Sequence, residues 1–81
     1  MWFCYIIECS DGTLYTGITN NLEKRISTHN SGKGAKYTKT RLPVVLKWST
    51  QCESRSDASK LEWKIKQLPR SKKLILFTKS N

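Results

Sequence analysis

Several features are scarce in this chain of 81 residues, and each scarcity excludes a class of protein. No apolar run reaches the roughly 18 residues of a membrane-spanning helix, so we predict no membrane span. The N-terminus lacks the basic segment and the long apolar segment of a secretory signal peptide. The three cysteines match no zinc-ligand spacing, and a single histidine is present to help them. We therefore expect a cytoplasmic protein whose cysteines are reduced and lie partly in its core.

Acidic residues are also few. The chain has 15 Lys and Arg against 6 Asp and Glu, which gives a net charge of +9. Residues 1–23 contain no Lys or Arg, whereas residues 24–47 contain seven basic residues and no acid. A basic stripe of this kind is typical of a protein that binds a polyanion, so we predict a nucleic acid as the partner. A cationic surface that serves only solubility is the plainer alternative, and a membrane surface is not favoured because no helix pairs a basic face with a broad aromatic face.

The pattern of apolar residues and turn signals predicts one α+β domain over residues 1–81, with its core at about residues 2–77. The expected order of elements is β-β-α-β-α-α. Asparagine and serine residues that can cap a helix N-terminus set where the first two helices begin, and a proline sets where the second one ends. The predicted strands are 2–8, 14–18 and 44–48, and the predicted helices run from Asn20 or Asn21 to about Asn30, from Ser54 to about Leu68, and from Ser71 to about Phe77.

The length of the turn between the first two strands decides whether Tyr5 and Tyr15 can act together. A two-residue turn would place the two side chains on opposite faces of the sheet. A three-residue turn over residues 10–12, with Gly12 in the left-handed region, puts both tyrosines on one face and pairs Tyr5 with Gly17. Gly17 then leaves room beside Tyr5 for another group. If the tyrosines cooperate, the three-residue turn is the prediction.

Tyr5, Tyr15 and Arg25 stand ten residues apart, and His29 follows Arg25 by one helical turn. These groups together suit a site that holds and cuts a phosphodiester. Taken singly, each has a plainer interpretation. The tyrosines would be ordinary hairpin aromatics, Arg25 a solvated helix residue, and His29 a satisfied core residue.

These residues give the chain a resemblance to a known family over nearly its whole length: it looks like a GIY-YIG nuclease domain. The motifs that carry the resemblance are Cys4–Ile7, Tyr15–Gly17, Arg25, His29 and Leu61–Trp63, in family order and spacing. The stretch from His29 to Lys39 is especially similar to the small, stand-alone bacterial branch, which is close to the nuclease subunit of structure-specific junction resolvases. The resemblance implies a three-stranded, mainly antiparallel sheet flanked by helices.

The resemblance also implies a metal-dependent DNA endonuclease. Glu62 would hold one Mg²⁺ or Mn²⁺, hard ions that favour a carboxylate and keep several waters. Its plainer role is an ion pair with Lys66, four residues further along the helix. Arg25 would present its planar guanidinium to the scissile phosphate.

The two tyrosines are the candidates for activating the attacking water. A tyrosine with its ordinary pKa of about 10 is a poor base and needs assistance. We favour Tyr5 as the base, with His29 relaying the proton and Tyr15 positioning the water. The alternative is that Tyr15 is the base and Tyr5 positions the water.

Residues 31–41 are predicted to form a flexible basic loop that contacts the DNA backbone. The contacting residues would be Lys33, Lys36, Lys39 and Arg41. Branched or nicked DNA is the expected partner, and RNA is less favoured. The chain departs from the family pattern at three places: the first motif, Tyr5–Ile7, lacks its glycine, Leu74 stands where many larger relatives have an asparagine, and Ile18 stands where some relatives have a lysine. The alternative function is therefore a nucleic-acid-binding module with little or no cleavage.

Overall fold

The computed structural model describes residues 1–79, so residues 80 and 81 of the predicted domain lie outside it. The elements are β1 (Trp2–Glu8), β2 (Leu14–Thr19), α1 (Leu22–Asn30), α2 (Lys36–Lys39), β3 (Val45–Cys52), α3 (Arg55–Lys66) and α4 (Arg70–Lys79). The strands form one sheet in the order β2-β1-β3, and both pairs are antiparallel. The predicted α+β fold with an antiparallel three-stranded sheet is confirmed. Within the described residues no helix is long and apolar enough to cross a membrane.

The turn between β1 and β2 has three residues, as the sequence predicts for cooperating tyrosines. Gly12 has a φ of +84°, which glycine adopts without strain, and the amide of Cys9 donates to the carbonyl of Thr13 at 2.8 Å. Tyr5 consequently pairs with Gly17, and Ile7 pairs with Tyr15. Because side chains alternate along a strand, both tyrosines lie on one face of the sheet.

The sheet has an apolar core on each face. On one face Tyr5, Ile7 and Val44 pack with Leu22 and Ile26 of α1. On the other face lies a second cluster built around Cys4, Ile6 and Ile65, against which side chains of α3 and α4 pack. The central strand β1 is therefore buried on both sides, and its residues from Cys4 to Ile7 have no exposed surface. Burial on both faces fixes the register that the site depends on.

Helices α1 and α3 begin as the cap signals predict. The side chain of Asn21 accepts a hydrogen bond from the amide of Lys24, and the side chain of Ser54 accepts one from the amide of Asp57. Helix α1 ends at Asn30 with Ser31 as its C-cap, and the next residue, Gly32, has a φ of +83° and an amide that donates to the carbonyl of His29. The cap sets the direction in which the chain leaves α1 toward the site.

The flexible basic loop predicted over residues 31–41 is wrong in part, because this segment contains the short helix α2. Thr38 in its centre is fully buried and bonded to His29, which anchors the segment to α1. The third strand also differs from its prediction, since it runs to Cys52 and contains a bulge. Ile6 pairs with Trp48 and Ile7 with Leu46, so Lys47 is the extra residue.

Candidate functional site

The centre of the candidate site is a hydrogen bond between β1 and α1. The hydroxyl of Tyr5 lies 3.0 Å from Nε2 of His29, and both side chains are fully buried. The register of the hairpin aims Tyr5 at α1, and the helical stripe that begins at Leu22 turns His29 inward. The sequence places Tyr5 and His29 at strand and helix positions, and the structure brings them into contact.

Arg25 joins this pair from the same helix. Its Nε donates to the hydroxyl of Tyr5 at 3.3 Å, which is long for a hydrogen bond of this type. Arg25 is half-buried, and its terminal guanidinium nitrogens make no hydrogen bond to any residue within the described part of the chain. Those nitrogens are available for an anion. Arg25 also lines a polar groove of about 220 Å³ with residues of the β2–α1 junction.

On its other side the ring of His29 is held by α2. Nδ1 of His29 lies 2.9 Å from Oγ1 of Thr38, and the same hydroxyl donates to the carbonyl of Ala35 at 3.0 Å. Gly34 lies directly against the ring, because a Cβ there would collide with Nδ1 and lie 2.8 Å from the Cα of His29. The imidazole is therefore enclosed between β1 and the segment that follows α1.

Tyr15 contacts the same imidazole without a hydrogen bond. Its ring meets that of His29 edge-on, with centroids 5.6 Å apart, and stacks on the ring of Tyr37 at 5.8 Å. Tyr15 is half-buried, and its hydroxyl makes no hydrogen bond with any residue whose side chain the structure describes. Of the two tyrosines, Tyr5 is thus bonded to the imidazole, while Tyr15 has a free hydroxyl nearer the surface.

Gly17 lets the two tyrosine rings lie side by side. A Cβ at this position would lie 2.5 Å from the hydroxyl oxygen of Tyr5 and 3.2 Å from the ring of Tyr15. The space beside Gly17 is occupied by the Tyr5 ring itself. Any larger side chain would push the Tyr5 hydroxyl away from His29.

Burial and charge shift two pKa values in this group. Burial raises the pKa of Tyr5, and the hydrogen bond and charge of Arg25 offset part of this rise. Burial lowers the pKa of His29, and the positive charge of Arg25 lowers it further. Both shifts favour the neutral side chains at pH 7, so a phenol faces a neutral imidazole.

Glu62 stands apart from this group. It lies on α3, which packs on the opposite face of the sheet, and its carboxylate pairs with Lys66 at 3.2 Å. Its charge nevertheless reaches the site, since it contributes to the raised pKa of Tyr5. No group of three or more His, Cys, Asp or Glu side chains could hold a metal in the described residues. A single carboxylate still fits Mg²⁺ or Mn²⁺, which take water and substrate phosphate oxygens as their other ligands.

The basic residues predicted to meet the DNA backbone fall into two groups. Lys33, Lys36 and Lys39 are exposed and line an open groove of about 790 Å³ together with Gly32 and Gly34. This groove lies on the segment that encloses His29. Three lysines without an acidic side chain in the lining suit a phosphate backbone.

Arg41 has partners of its own and differs from these lysines. Its guanidinium bonds to the carboxylate of Asp11 at 3.1 Å, donates to the carbonyl of Tyr37 at 2.6 Å, and lies over the Tyr37 ring at 4.3 Å. It therefore ties α2 to the hairpin turn.

Three residues of the site were not among the predicted site residues. Thr38 and Gly34 enclose His29, and Tyr37 stacks on Tyr15. All three lie in the segment predicted as a loop. The one aromatic residue of this segment, Tyr37, was the available signal, because an aromatic side chain in a basic segment indicates packing against the rest of the domain.

Comparison with known proteins agrees with this architecture. The family model described as the GIY-YIG catalytic domain matches residues 1–74. The UPF0213 protein DP2720 of Desulfotalea psychrophila is 54% identical over 80 residues, which are 98% of this chain and 73% of that protein. The UPF0213 protein VNG_2274C of Halobacterium salinarum is 49% identical over 95% of this chain and 100% of its own length.

Solved structures give the same result. The solution NMR structure of the UPF0213 protein BH0048 from Bacillus halodurans has a TM-score of 0.61 at 43% identity, covering 96% of this chain and 84% of that one. The solution NMR structure of EF2693 from E. faecalis has a TM-score of 0.60 at 42% identity, covering 88% of this chain and 76% of that one. The family match and these relatives show that the chain belongs to the GIY-YIG catalytic domain family, a nuclease family, and that it is similar to the small UPF0213 proteins.

Proposed function

We propose that this protein is a metal-dependent endonuclease that hydrolyses phosphodiester bonds in DNA. The observation that carries the proposal is the chain of hydrogen bonds from the half-buried Arg25 through the buried Tyr5 to the buried His29. It joins a phosphate-binding cation, a hydroxyl and a neutral imidazole. Phosphodiester hydrolysis needs these three kinds of group to hold the anion and to remove a proton from water.

Tyr5 is the proposed base because its hydroxyl is bonded to a proton acceptor. The Tyr5 proton passes to Nε2 of His29 as the Tyr5 oxygen takes a proton from the attacking water. Tyr15, whose hydroxyl is free, positions that water or the phosphate. The raised pKa of Tyr5 makes its ionisation at pH 7 unfavourable without a partner, so transfer to His29 accompanies the reaction.

Arg25 controls access to the Tyr5 hydroxyl, which is fully buried. The bond between Arg25 Nε and Tyr5 is long at 3.3 Å, so exchanging it for a charge-assisted bond to phosphate is favourable. When Arg25 turns toward a phosphate, the oxygen of Tyr5 loses a donor and can meet water. Substrate binding and activation of the base are then linked through one side chain.

Glu62 is the residue that would hold the metal. A bound Mg²⁺ or Mn²⁺ would stabilise negative charge on the phosphate and on the leaving oxygen. Glu62 has Lys66 as its partner in this structure, so a metal held by Glu62 would take the place of the Lys66 ammonium. The remaining ligands would be waters and phosphate oxygens.

The proposed substrate is DNA with a branch, flap or nick, as in repair and recombination, in the cytoplasm. The basic groove of Lys33, Lys36 and Lys39 would contact phosphates, which carry no sequence information. Selection would then depend on the shape and deformability of the DNA. A distorted duplex gives Arg25 easier access to a single phosphate.

Cleavage is tested by titrating Mg²⁺ and Mn²⁺ against labelled plasmid and branched DNA. We expect metal-dependent cleavage by the wild type and its loss in Arg25→Ala and Glu62→Ala, with folding retained. Glu53→Ala is the matched control, because Glu53 is an exposed glutamate whose side chain forms no hydrogen bond or ion pair with the side chains that the structure describes. Equal nicking by all four proteins would indicate a contaminant and refute the proposal. Binding without cleavage under every metal condition would favour the alternative of a nucleic-acid-binding module.

The groove is tested by a charge-matched pair of triple variants. Lys33→Ala, Lys36→Ala and Lys39→Ala together remove three charges from the groove, and Lys60→Ala, Lys64→Ala and Lys72→Ala remove three exposed charges elsewhere. If the three lysines neutralise three phosphates, the plot of log affinity against log salt concentration should be less steep by about 3 for the groove variant than for the wild type. Equal slopes for both triple variants would contradict the placement of DNA in this groove.

A further inference from the structure

The two nitrogens of the His29 ring have partners of different character. Nε2 lies 3.0 Å from the hydroxyl of Tyr5, and Nδ1 lies 2.9 Å from the hydroxyl of Thr38. A neutral imidazole carries one N–H, so one nitrogen donates and the other accepts. Which nitrogen carries the proton decides whether His29 can take a proton from Tyr5.

The hydroxyl of Thr38 settles this choice because its single proton is already used. Oγ1 of Thr38 donates to the carbonyl of Ala35 at 3.0 Å, and a carbonyl can only accept. Thr38 therefore offers His29 a lone pair. Nδ1 of His29 must supply the hydrogen, which leaves Nε2 as the acceptor that faces Tyr5.

We propose that Thr38 is a positioning residue that holds His29 in the Nδ1–H tautomer, so that Nε2 is the proton acceptor for Tyr5. The proposal rests on the proposed nuclease function for its catalytic meaning, and on the hydrogen-bond geometry alone for the tautomer. Thr38 has no exposed surface, so water cannot replace its hydroxyl. Gly34 keeps the ring in place, because its backbone lies against Nδ1 with no room for a side chain.

The other groups around His29 do not compete for Nδ1. Tyr5 on β1 faces Nε2, and Tyr15 on β2 meets the ring edge-on without a hydrogen bond. Arg25 on α1 acts through its charge, and Thr38 on α2 supplies the bond to Nδ1. None of these groups is a carboxylate, so the orienting partner of this imidazole is a neutral hydroxyl. A carboxylate partner would also stabilise the charged imidazolium, whereas a neutral hydroxyl fixes the tautomer only.

The tautomer is measured directly by long-range ¹H–¹⁵N correlation spectra of the imidazole. The sequence contains one histidine, so every imidazole signal belongs to His29. At neutral pH we expect a pyrrole-type Nδ1 and a pyridine-type Nε2 in the wild type. A wild-type spectrum with the hydrogen on Nε2 overturns the proposal, whatever the protein does to DNA.

Two variants separate the hydroxyl from the packing of Thr38. Thr38→Val keeps the shape and removes the hydroxyl, and Thr38→Ser keeps the hydroxyl and removes a methyl group. We expect Thr38→Val to lose the pure Nδ1–H form and Thr38→Ser to retain it, with far-UV circular dichroism as the check of folding. An unchanged tautomer in folded Thr38→Val overturns the proposal. If Thr38→Val does not fold, loss of the Nδ1–H form in Thr38→Ser overturns it.

Cleavage gives an independent readout. We expect Thr38→Val to cleave at least about 10-fold more slowly, a part of the 10²–10⁴-fold that a positioned acid–base group contributes. Thr38→Ser should restore most of the rate. Wild-type cleavage together with full activity of Thr38→Val refutes the positioning role. An inactive wild type with the Nδ1–H tautomer refutes the proposed nuclease function and leaves the structural assignment of Thr38 supported.

Discussion

The Tyr5 hydroxyl and Nε2 of His29 lie 3.0 Å apart in a part of the protein that is closed to solvent. The two residues are 24 positions apart in the sequence, and the contact exists because β1 and α1 pack face to face. A buried hydroxyl bonded to a buried imidazole stabilises the fold and also offers a route for a proton.

The two tyrosines should differ in their effect on cleavage. Tyr5→Phe removes the proposed base and should slow single-turnover cleavage by about 10²–10⁴-fold, whereas Tyr15→Phe should have a smaller effect. Tyr5→Phe also leaves the buried Nε2 of His29 without a partner, which should cost about 1–3 kcal/mol of unfolding free energy. Rates are measured at saturating protein, and stability by urea denaturation. If Tyr15→Phe slowed cleavage more than Tyr5→Phe, Tyr15 would be the base and Tyr5 the residue that positions the water.

His29 should make the protein less stable in mild acid. Its pKa is lowered in the folded state by burial and by Arg25, whereas the unfolded chain has an ordinary histidine pKa of about 6.5. Below about pH 6.5 the unfolded chain takes up a proton that the folded protein does not, so the unfolding free energy falls as the pH falls. The slope is at most about 1.4 kcal/mol per pH unit for one proton and ends at the folded-state pKa.

This pH effect is measured by urea denaturation between pH 7 and pH 5. A ¹H NMR titration of the imidazole gives the folded-state pKa, and the assignment is unambiguous with one histidine. His29→Gln, if folded, should lack the slope in this range. A folded-state pKa at or above 6.5 would contradict the prediction.

The cysteines should react with thiol reagents at very different rates. The structure has Cys4, Cys9 and Cys52 as free thiols, with Cys4 and Cys9 buried and Cys52 partly exposed. Burial, with the nearby Cys52 thiol as a smaller cause, raises the pKa of Cys4 to about 12. At pH 8 only about 10⁻⁴ of Cys4 would be thiolate, the reactive form.

We therefore expect Cys52 to be modified first in the native protein and Cys4 only after denaturation. The reaction with a disulfide reagent is followed by absorbance, and the site by peptide mass spectrometry. Cys52→Ser should remove the fast phase. A fast phase that survives in Cys52→Ser and maps to Cys4 would be inconsistent with the buried position of Cys4 on β1.

Lys66 should compete with the metal for Glu62. The two side chains form an i, i+4 pair at 3.2 Å, and Lys66 is half-exposed, so the pair is worth about 0–1 kcal/mol. Lys66→Met should therefore tighten Mn²⁺ binding by up to about 5-fold. Binding is measured by electron paramagnetic resonance of free Mn²⁺. Lys64→Met removes the same charge from α3 without touching the pair, and equal affinities for the two variants would place the metal elsewhere.

Local chemistry in the sequence was enough to predict much of the fold. Asn21 and Ser54 cap α1 and α3 because their side chains accept the amides three residues on, which is a property of adjacent residues. Gly12 adopts the positive φ of the three-residue turn, the one of the two possible turn lengths that was predicted if the tyrosines cooperate. Segment 31–41 was mispredicted because its order comes from Thr38, whose partner His29 is nine residues away.

The sequence by itself determined the order of the main strands and helices, the approximate helix limits, the excess of positive charge and the family to which the chain belongs. All of these depend on residue types at short spacing. Only the tertiary structure decided which tyrosine bonds His29 and which hydroxyl holds the other ring nitrogen. The pairing of Tyr5 and Thr38 with His29 depends on the packing of α1 and α2 over the sheet, because hydrogen bonds need atoms within about 3 Å and spacing along the chain does not fix such distances.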